Sequence, residues 1–313
     1  MPWRFRYRRP PHAFVLTRDR VVHVSVAPRA RSAREALGTV QVHARDLPPG
    51  ALSAGANGEP IAGKAVADAV GALLAGPRAK VGAASLAVPD DFLRIASVDV
   101  DGDARGAREA EEIVRWKVGR LFGEPVPALR LSWQPVGDVP AGGGTRYLVL
   151  AAVESAVASW EAAFAARGIR IGALEPASLA VTSIARDALP AGGFLVWADG
   201  TSVSTAFLSG RDLRFLRTTE TGGDPEQALQ EIRLAASFVG GDAEDAASRL
   251  DLHGPAVVAP WNAPAVELFR AFRRDGGGPE PLSLWSTLES RGLGPRQEDP
   301  AVAVGVGLLA GEE

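Results

Sequence analysis

Residues 194–216 read FLVWADGTSVSTAFLSGRDLRFL, and their pattern decides how the rest of the chain is to be organised. An apolar run from Phe194 ends in Asp199-Gly200-Thr201-Ser202, and a second strand follows towards Leu216. The polar quartet is a tight turn, and Asp-Gly between two apolar runs is a hairpin signal in its own right. A glycine there lets the backbone bend sharply and leaves amides unshielded, so such a turn is able to face a phosphate.

Working outward, the segment behind this hairpin alternates strands and helices. Residues 13–26 and 36–46 read as a hairpin or meander that ends at Pro48-Pro49-Gly50. Residues 60–76 carry Ile61, Ala65, Val66, Ala69, Val70, Leu73 and Leu74 at helical spacing. Strands are expected at 83–88 and 92–100, and the turn Pro89-Asp90-Asp91 separates them. The spacing predicts an amphipathic helix over 106–122, with the stripe Ala110, Ile113, Val114, Val118 and Leu121 and an i,i+4 pair, Glu111 and Arg115. Strands over 129–136 and 146–153, a helix over 155–166 with Gly168 as its C-cap, a strand over 169–174 and a helix over 176–188 complete this half. Pro190-Ala191-Gly192-Gly193 marks the domain boundary. Beyond the hairpin come Thr221-Gly222-Gly223, a helix over 225–239, a short strand over 251–253 before Gly254-Pro255, a helix over 264–274 and a small-residue helix over 300–311. Two halves that each open on a strand hairpin and contain helices imply α/β architecture with mixed sheets.

Composition removes several functions. With no cysteine in 313 residues there is no disulfide, thiolate metal site or cysteine nucleophile. His12, His23, His43 and His253 show no ligand spacing, so no metal site is expected, and no catalytic constellation stands out. A net charge of −3 argues against a nucleic-acid partner. No run approaches the length of a membrane span, and the N-terminus has no apolar h-region, so the expected compartment is the cytoplasm. Glu111-Glu112 reads as a solvated helix face, and most of the tryptophans read as core or rim residues.

The leader stands apart. Trp3, Phe5 and Tyr7 alternate with Arg4, Arg6 and Arg8, and Arg9 follows. Aromatics interleaved with arginines suit an anionic membrane surface or a membrane partner. The same period-2 alternation is the signature of a first strand with one wet face. The two readings are compatible.

The order of elements resembles that of PilM, the actin-like protein of type IV pilus assembly, and of the cytoplasmic part of the type II secretion protein GspL. Four pieces carry the resemblance: the basic leader; Leu86-Ala87-Val88-Pro89-Asp90 followed by the helix Glu111-Glu112-Ile113-Val114-Arg115-Trp116; Thr221-Gly222-Gly223 before Leu229-Gln230-Glu231-Ile232-Arg233; and Ala301-Val302-Ala303-Val304-Gly305. The resemblance implies an actin-like (ribonuclease H-like) two-lobed fold. Residues 1–190 form the first lobe, with an inserted α/β subdomain at about 84–153; 191–299 form the second lobe, and 300–313 the closing helix. The nucleotide cleft of such a fold draws here on Asp199, Gly200, Thr201, Ser202, Gly222, Gly223 and Gly254.

Its nucleotide motifs are altered. Actin-like ATPases place Asp-x-Gly in the first hairpin, where amides hold phosphates and the carboxylate reaches the water shell of the metal. Here that place reads Leu16-Thr17-Arg18, the second hairpin reads Trp197-Ala198-Asp199, and the adenosine-side turn reads Gly254-Pro255. These changes predict a pseudo-ATPase with no cofactor, binding ATP with magnesium weakly or not at all. The function implied is a scaffold on the cytoplasmic side of an inner-membrane pilus or secretion platform. Its partners are then a PilN-like membrane protein tail and other platform proteins. The competing readings are an active ATPase or kinase of the actin–sugar-kinase superfamily and an actin-like protein that polymerises.

Overall fold

The computed structural model describes residues 10–26, 40–55, 58, 60–75, 81–100, 107–123, 128–138, 144–199, 201–239, 256–259, 282–284, 287–288 and 299–310. The chain divides into two compact units. One is Met1–Pro89, Ala158–Ile184 and Thr287–Glu313, and the other is Asp90–Val157 and Ala185–Ser286.

The first unit is built on a five-stranded sheet. Its strands are β1 (His12–Leu16), β2 (Arg20–Ser25), β3 (Gln41–Asp46), β6 (Ala83–Val88) and β10 (Arg170–Pro176), in the order β10-β6-β1-β2-β3. β1, β2 and β3 run antiparallel to one another, and β6 and β10 join in parallel. A two-stranded ribbon, β4 (Leu52–Ala54) with β5 (Pro60–Ala62), precedes helix α1 (Lys64–Leu74). α1 buries Val66, Ala69, Val70 and Leu73, the i, i+3, i+4, i+7 stripe of a core-facing helix. The helix therefore starts four residues later than the expected residue 60, because Pro60–Ala62 pair as a strand with Leu52–Ala54.

The second unit repeats that sheet. β11 (Gly192–Asp199), β12 (Ser202–Ser209), β13 (Asp212–Glu220), β14 (Ala256–Ala259) and β15 (Leu282–Ser283) lie in the order β13-β12-β11-β14-β15. Again three antiparallel strands are followed by two parallel ones. This unit also holds a three-stranded antiparallel sheet of β7 (Arg94–Val100), β8 (Leu129–Asp138) and β9 (Thr145–Val153), with β9 central. Helix α2 (Ala107–Phe122) lies on it, and Ala110, Val114 and Val118 pack on Ala96, Val98, Val100, Val149 and Ala151. Leu121, expected in that stripe, is 60% exposed, and its neighbour Phe122 packs against the core instead.

Helices α3 (Glu154–Ala165), α4 (Ala177–Ala188), α5 (Pro225–Val239) and α6 (Pro300–Ala310) complete the described elements. The turn after α3 closes as the Gly168 cap demands, with Gly168 N–H on the Ala165 carbonyl and Ile169 N–H on that of Phe164. α6 packs on β1, β2 and β6, and its small residues let it approach closely. A methyl group on Gly305 would overlap the Val24 side chain, and one on Gly307 would overlap the Ala180 carbonyl of α4. The expected strand over 251–253 and helix over 264–274 lie outside the described residues; the strand that does pair with β11 begins at Ala256.

Candidate functional site

Both five-stranded sheets begin with a hairpin whose tip has two residues. In the first, Leu16 pairs with Val21 and is buried, and Arg18–Asp19 form the tip. Thr17 N–H donates to the Arg20 carbonyl at 2.9 Å, and Arg20 N–H donates to Thr17 Oγ1 at 3.1 Å. The Thr17 hydroxyl also lies 2.6 Å from the Asp19 carboxylate. A threonine side chain thus closes the turn, and the Thr17 and Arg20 amides are already used. Arg20 Nη2 reaches Asp299 Oδ1 at 2.8 Å, and Asp299 caps α6 by accepting from Ala301 N–H at 2.9 Å. Leu16 is a core side chain and contributes nothing polar to the turn.

In the second hairpin Asp199 pairs with Ser202, so Gly200–Thr201 form the tip. The Asp199 side chain and Gly200 lie outside the described residues. The Thr201 carbonyl accepts from the N–H of Thr221 at 2.7 Å and from that of Gly222 at 3.0 Å. The Thr221 hydroxyl donates to the same oxygen at 3.2 Å. Gly222 and Gly223 have φ of +58° and +84°, a left-handed pair that only glycine adopts without strain. Their turn delivers Asp224 to the N-terminus of α5, where Asp224 Oδ1 accepts from Glu226 N–H at 2.9 Å. That carboxylate occupies the place at a helix start that suits an anion. Of the residues assigned to a nucleotide cleft, the structure brings Thr201 and Gly222 into contact. Ser202 is 4% exposed, and its hydroxyl has no hydrogen-bond partner among the described residues. Gly254 and the leader residues Trp3, Arg4, Phe5, Arg6, Tyr7, Arg8 and Arg9 lie outside the described residues.

A buried polar cluster lies on the same sheet. Asp90 begins the 3-10 turn Asp90–Phe92 and is fully buried. Its carboxylate accepts from the Ser204 hydroxyl, which is also 2.7 Å from Thr218 Oγ1. Ser204 and Thr218 face each other across β12 and β13, so the register places both hydroxyls at the carboxylate. The motif Leu86-Ala87-Val88-Pro89-Asp90 therefore ends in a structural anchor.

Sheet register also assembles what spacing hid. His12 Nδ1 lies 3.2 Å from His23 Nε2, His23 stacks on Phe14 with ring centroids 4.6 Å apart, and His43 faces His23 from β3. Burial lowers the pKa of His12 from its ordinary value. Among the described residues no three His, Asp or Glu side chains are placed to hold a metal ion. The ionic contacts are peripheral: the hydrogen bond from Arg146 holds Asp99 below the usual carboxylate range, and that from Arg130 does the same for Glu154.

The fold matches known structures. A solved structure described as the PilM–PilN type IV pilus biogenesis complex superposes over 98% of this chain and 100% of its own, with 18% identity and a TM-score of 0.68. A Bacteroides thetaiotaomicron protein with an actin-like ATPase fold superposes over 93% and 99%, with 6% identity and a TM-score of 0.54. The cytoplasmic domain of EpsL, an inner-membrane component of the Vibrio cholerae type II secretion system, covers 90% and 94% at 11% identity and a TM-score of 0.49. No family model and no curated protein matches the sequence. The fold is actin-like.

Proposed function

We propose that this chain is a non-catalytic actin-like scaffold at the cytoplasmic face of an inner-membrane type IV pilus or type II secretion platform. In this role it receives the cytoplasmic tail of a PilN-like membrane partner. The observation that carries the reading is the full-length likeness, over both chains, to the PilM–PilN complex. The two turns support the absence of catalysis. One has its amides closed by Thr17 and Arg20, and the other has Gly222 turned onto Thr201 and Asp224 seated at the helix start. A phosphate approaching the first turn finds the Thr17 and Arg20 amides already used, and one approaching the start of α5 meets the Asp224 carboxylate. Among the described residues no helix is long and apolar enough to cross a membrane, which fits a protein that relies on a partner for anchorage.

Two measurements test the proposal. Calorimetry with ATP and magnesium is expected to give no binding near the micromolar range. A micromolar dissociation constant, about −8 kcal/mol, would favour the ATPase or kinase reading instead. The cytoplasmic tail of a PilN-like single-span membrane protein is expected to bind this chain in solution, and failure to do so would remove the platform role. The leader belongs to the same proposal: changing Arg4, Arg6, Arg8 and Arg9 to serine should weaken binding to anionic liposomes in a salt-sensitive way. Unchanged liposome binding with a much lower melting temperature would make the segment a structural strand.

A further inference from the structure

The solvent face of α2 carries an arrangement that packing does not explain. Trp116 is 57% exposed, on the side of the helix away from Val114 and Val118, which face the sheet. One turn on, the Arg120 guanidinium sits 5.0 Å from the Trp116 ring centroid. Arg120 has no carboxylate partner among the described residues, unlike Arg108 and Arg115, which pair with Glu112 and Glu111 at 3.1 and 3.0 Å. Arg115 in turn lies 5.6 Å from the ring of Trp133 on β8, which is half-buried. Charge is polarised along the helix. Glu109, Glu111 and Glu112 lie in its first half, whereas Ile113 to Gly123 contains Arg115, Lys117 and Arg120 and no acid. Glu124, the next acid in the chain, lies outside the described residues.

A monomer gains little from an exposed indole held under a guanidinium that has no carboxylate partner among the described residues. Tryptophan and arginine are, however, the side chains most enriched where protein partners bind and where most of the binding energy concentrates. We infer that the Trp116–Arg120 face of α2 is a docking surface for an acidic segment of a protein partner. Such a segment lays an apolar side chain on the Trp116 ring and a carboxylate on Arg120. The sign of the partner follows from charge complementarity at Arg120, because Arg115 is paired with Glu111 and Lys117 lies beside Asp99, which leaves the Arg120 guanidinium to attract a carboxylate and repel a basic segment. The inference stands whether or not the platform reading holds.

The test uses the full chain and a labelled synthetic peptide of alternating glutamate and leucine, with a lysine–leucine peptide as control. Fluorescence anisotropy is expected to show binding of the acidic peptide alone, weakened by high salt. Trp116→Ala and Arg120→Glu should each weaken it by about tenfold, as for a central interface residue. Leu234→Ala, at another exposed apolar side chain, should leave binding unchanged. All three sites are exposed, so melting temperatures should stay close to that of the parent chain, which separates a lost contact from a lost fold. Equal binding of the two peptides, or variants that bind as the parent does, would overturn the inference. Capture by phosphatidylglycerol vesicles that the same two variants abolish, with no peptide binding, would assign the face to a lipid surface and overturn it equally.

Discussion

The two five-stranded sheets share one plan and close their leading hairpins differently. Both carry three antiparallel strands followed by two parallel ones, and both hairpins have two-residue tips. In the first sheet the main-chain bond from Thr17 to Arg20 is reinforced by side chains, through the Thr17 hydroxyl and the Arg20–Asp299 pair. In the second the tip is locked by main chain, through Thr221 and Gly222 donating to the Thr201 carbonyl. A strand pattern tolerates either solution because pairing and burial specify the sheet, whereas the tip needs only satisfied polar groups. The fold can therefore persist when the chemistry of its turns has changed, and likeness of fold alone does not carry activity.

The comparison breaks most visibly at the helix that closes the first sheet. Gly307→Val sets its Cβ 2.0 Å from the Ala180 carbonyl oxygen, a backbone atom that moves only if α4 moves. The expected loss is about 3 kcal/mol or more, the upper range for overpacking, read by urea denaturation. A variant as stable as the parent would show that α6 is not held where the sheet requires it.

The second sheet depends on its buried cluster. Ser204→Ala removes a donor from the buried Asp90 carboxylate and should cost about 2 kcal/mol. Ser209→Ala, exposed on the same strand, should stay within about 0.5 kcal/mol. Equal effects at the two serines would mean that the Asp90 contact contributes nothing.

A smaller pair of effects sharpens the contrast between the tips. Thr17→Ala deletes the hydroxyl that receives the Arg20 amide and should cost about 1 kcal/mol. Thr221→Ala should cost less, because the Thr221 N–H still donates to Thr201. The reverse order in thermal melts would contradict the assignment of side-chain reinforcement to the first tip and main-chain closure to the second.

Much of this architecture was legible because it is periodic. The strand 83–88, the helix start near 107, the Gly168 cap and the helices that begin at Ala177, Pro225 and Pro300 follow from spacing and turn residues. What escaped depends on tertiary placement. Leu121 has helical phase but is exposed while Phe122 packs on the core, and Trp116 faces solvent although Trp160 and Trp197 are buried as expected of core tryptophans. The ribbon of β4 and β5 is too short for alternation to register. The Ser204–Asp90 contact spans 114 residues, so no local pattern announces it. The candidate site was legible in part: the Asp199–Ser202 turn and the Gly222-Gly223 turn were visible separately. Their contact through the Thr201 carbonyl, and the capping role of Asp224, needed the strand register.

The histidines supply the finest test, since the contact between His12 and His23 belongs to the first sheet alone. His12 and His23 are separated by eleven positions in sequence but only 3.2 Å between ring nitrogens, because β1 and β2 pair antiparallel. His43 also faces His23, from β3. Burial lowers the pKa of His12 below its ordinary 6.5, so in the acid range the folded chain binds fewer protons than the unfolded chain. Stability should therefore be flat above neutrality and fall as pH drops from 6.5 through the lowered value. Protonating both rings would also set two positive charges against each other. Melting temperatures measured from pH 7.5 to 5 should show this decline, and His12→Gln, which cannot take up a proton, should flatten it. The effect is expected to be the smallest of the four, because His12 is only partly buried and water screens its charge. A decline identical in the parent and the His12→Gln variant would move the pH sensitivity elsewhere, and the histidine contact would then be a packing feature without a titration role.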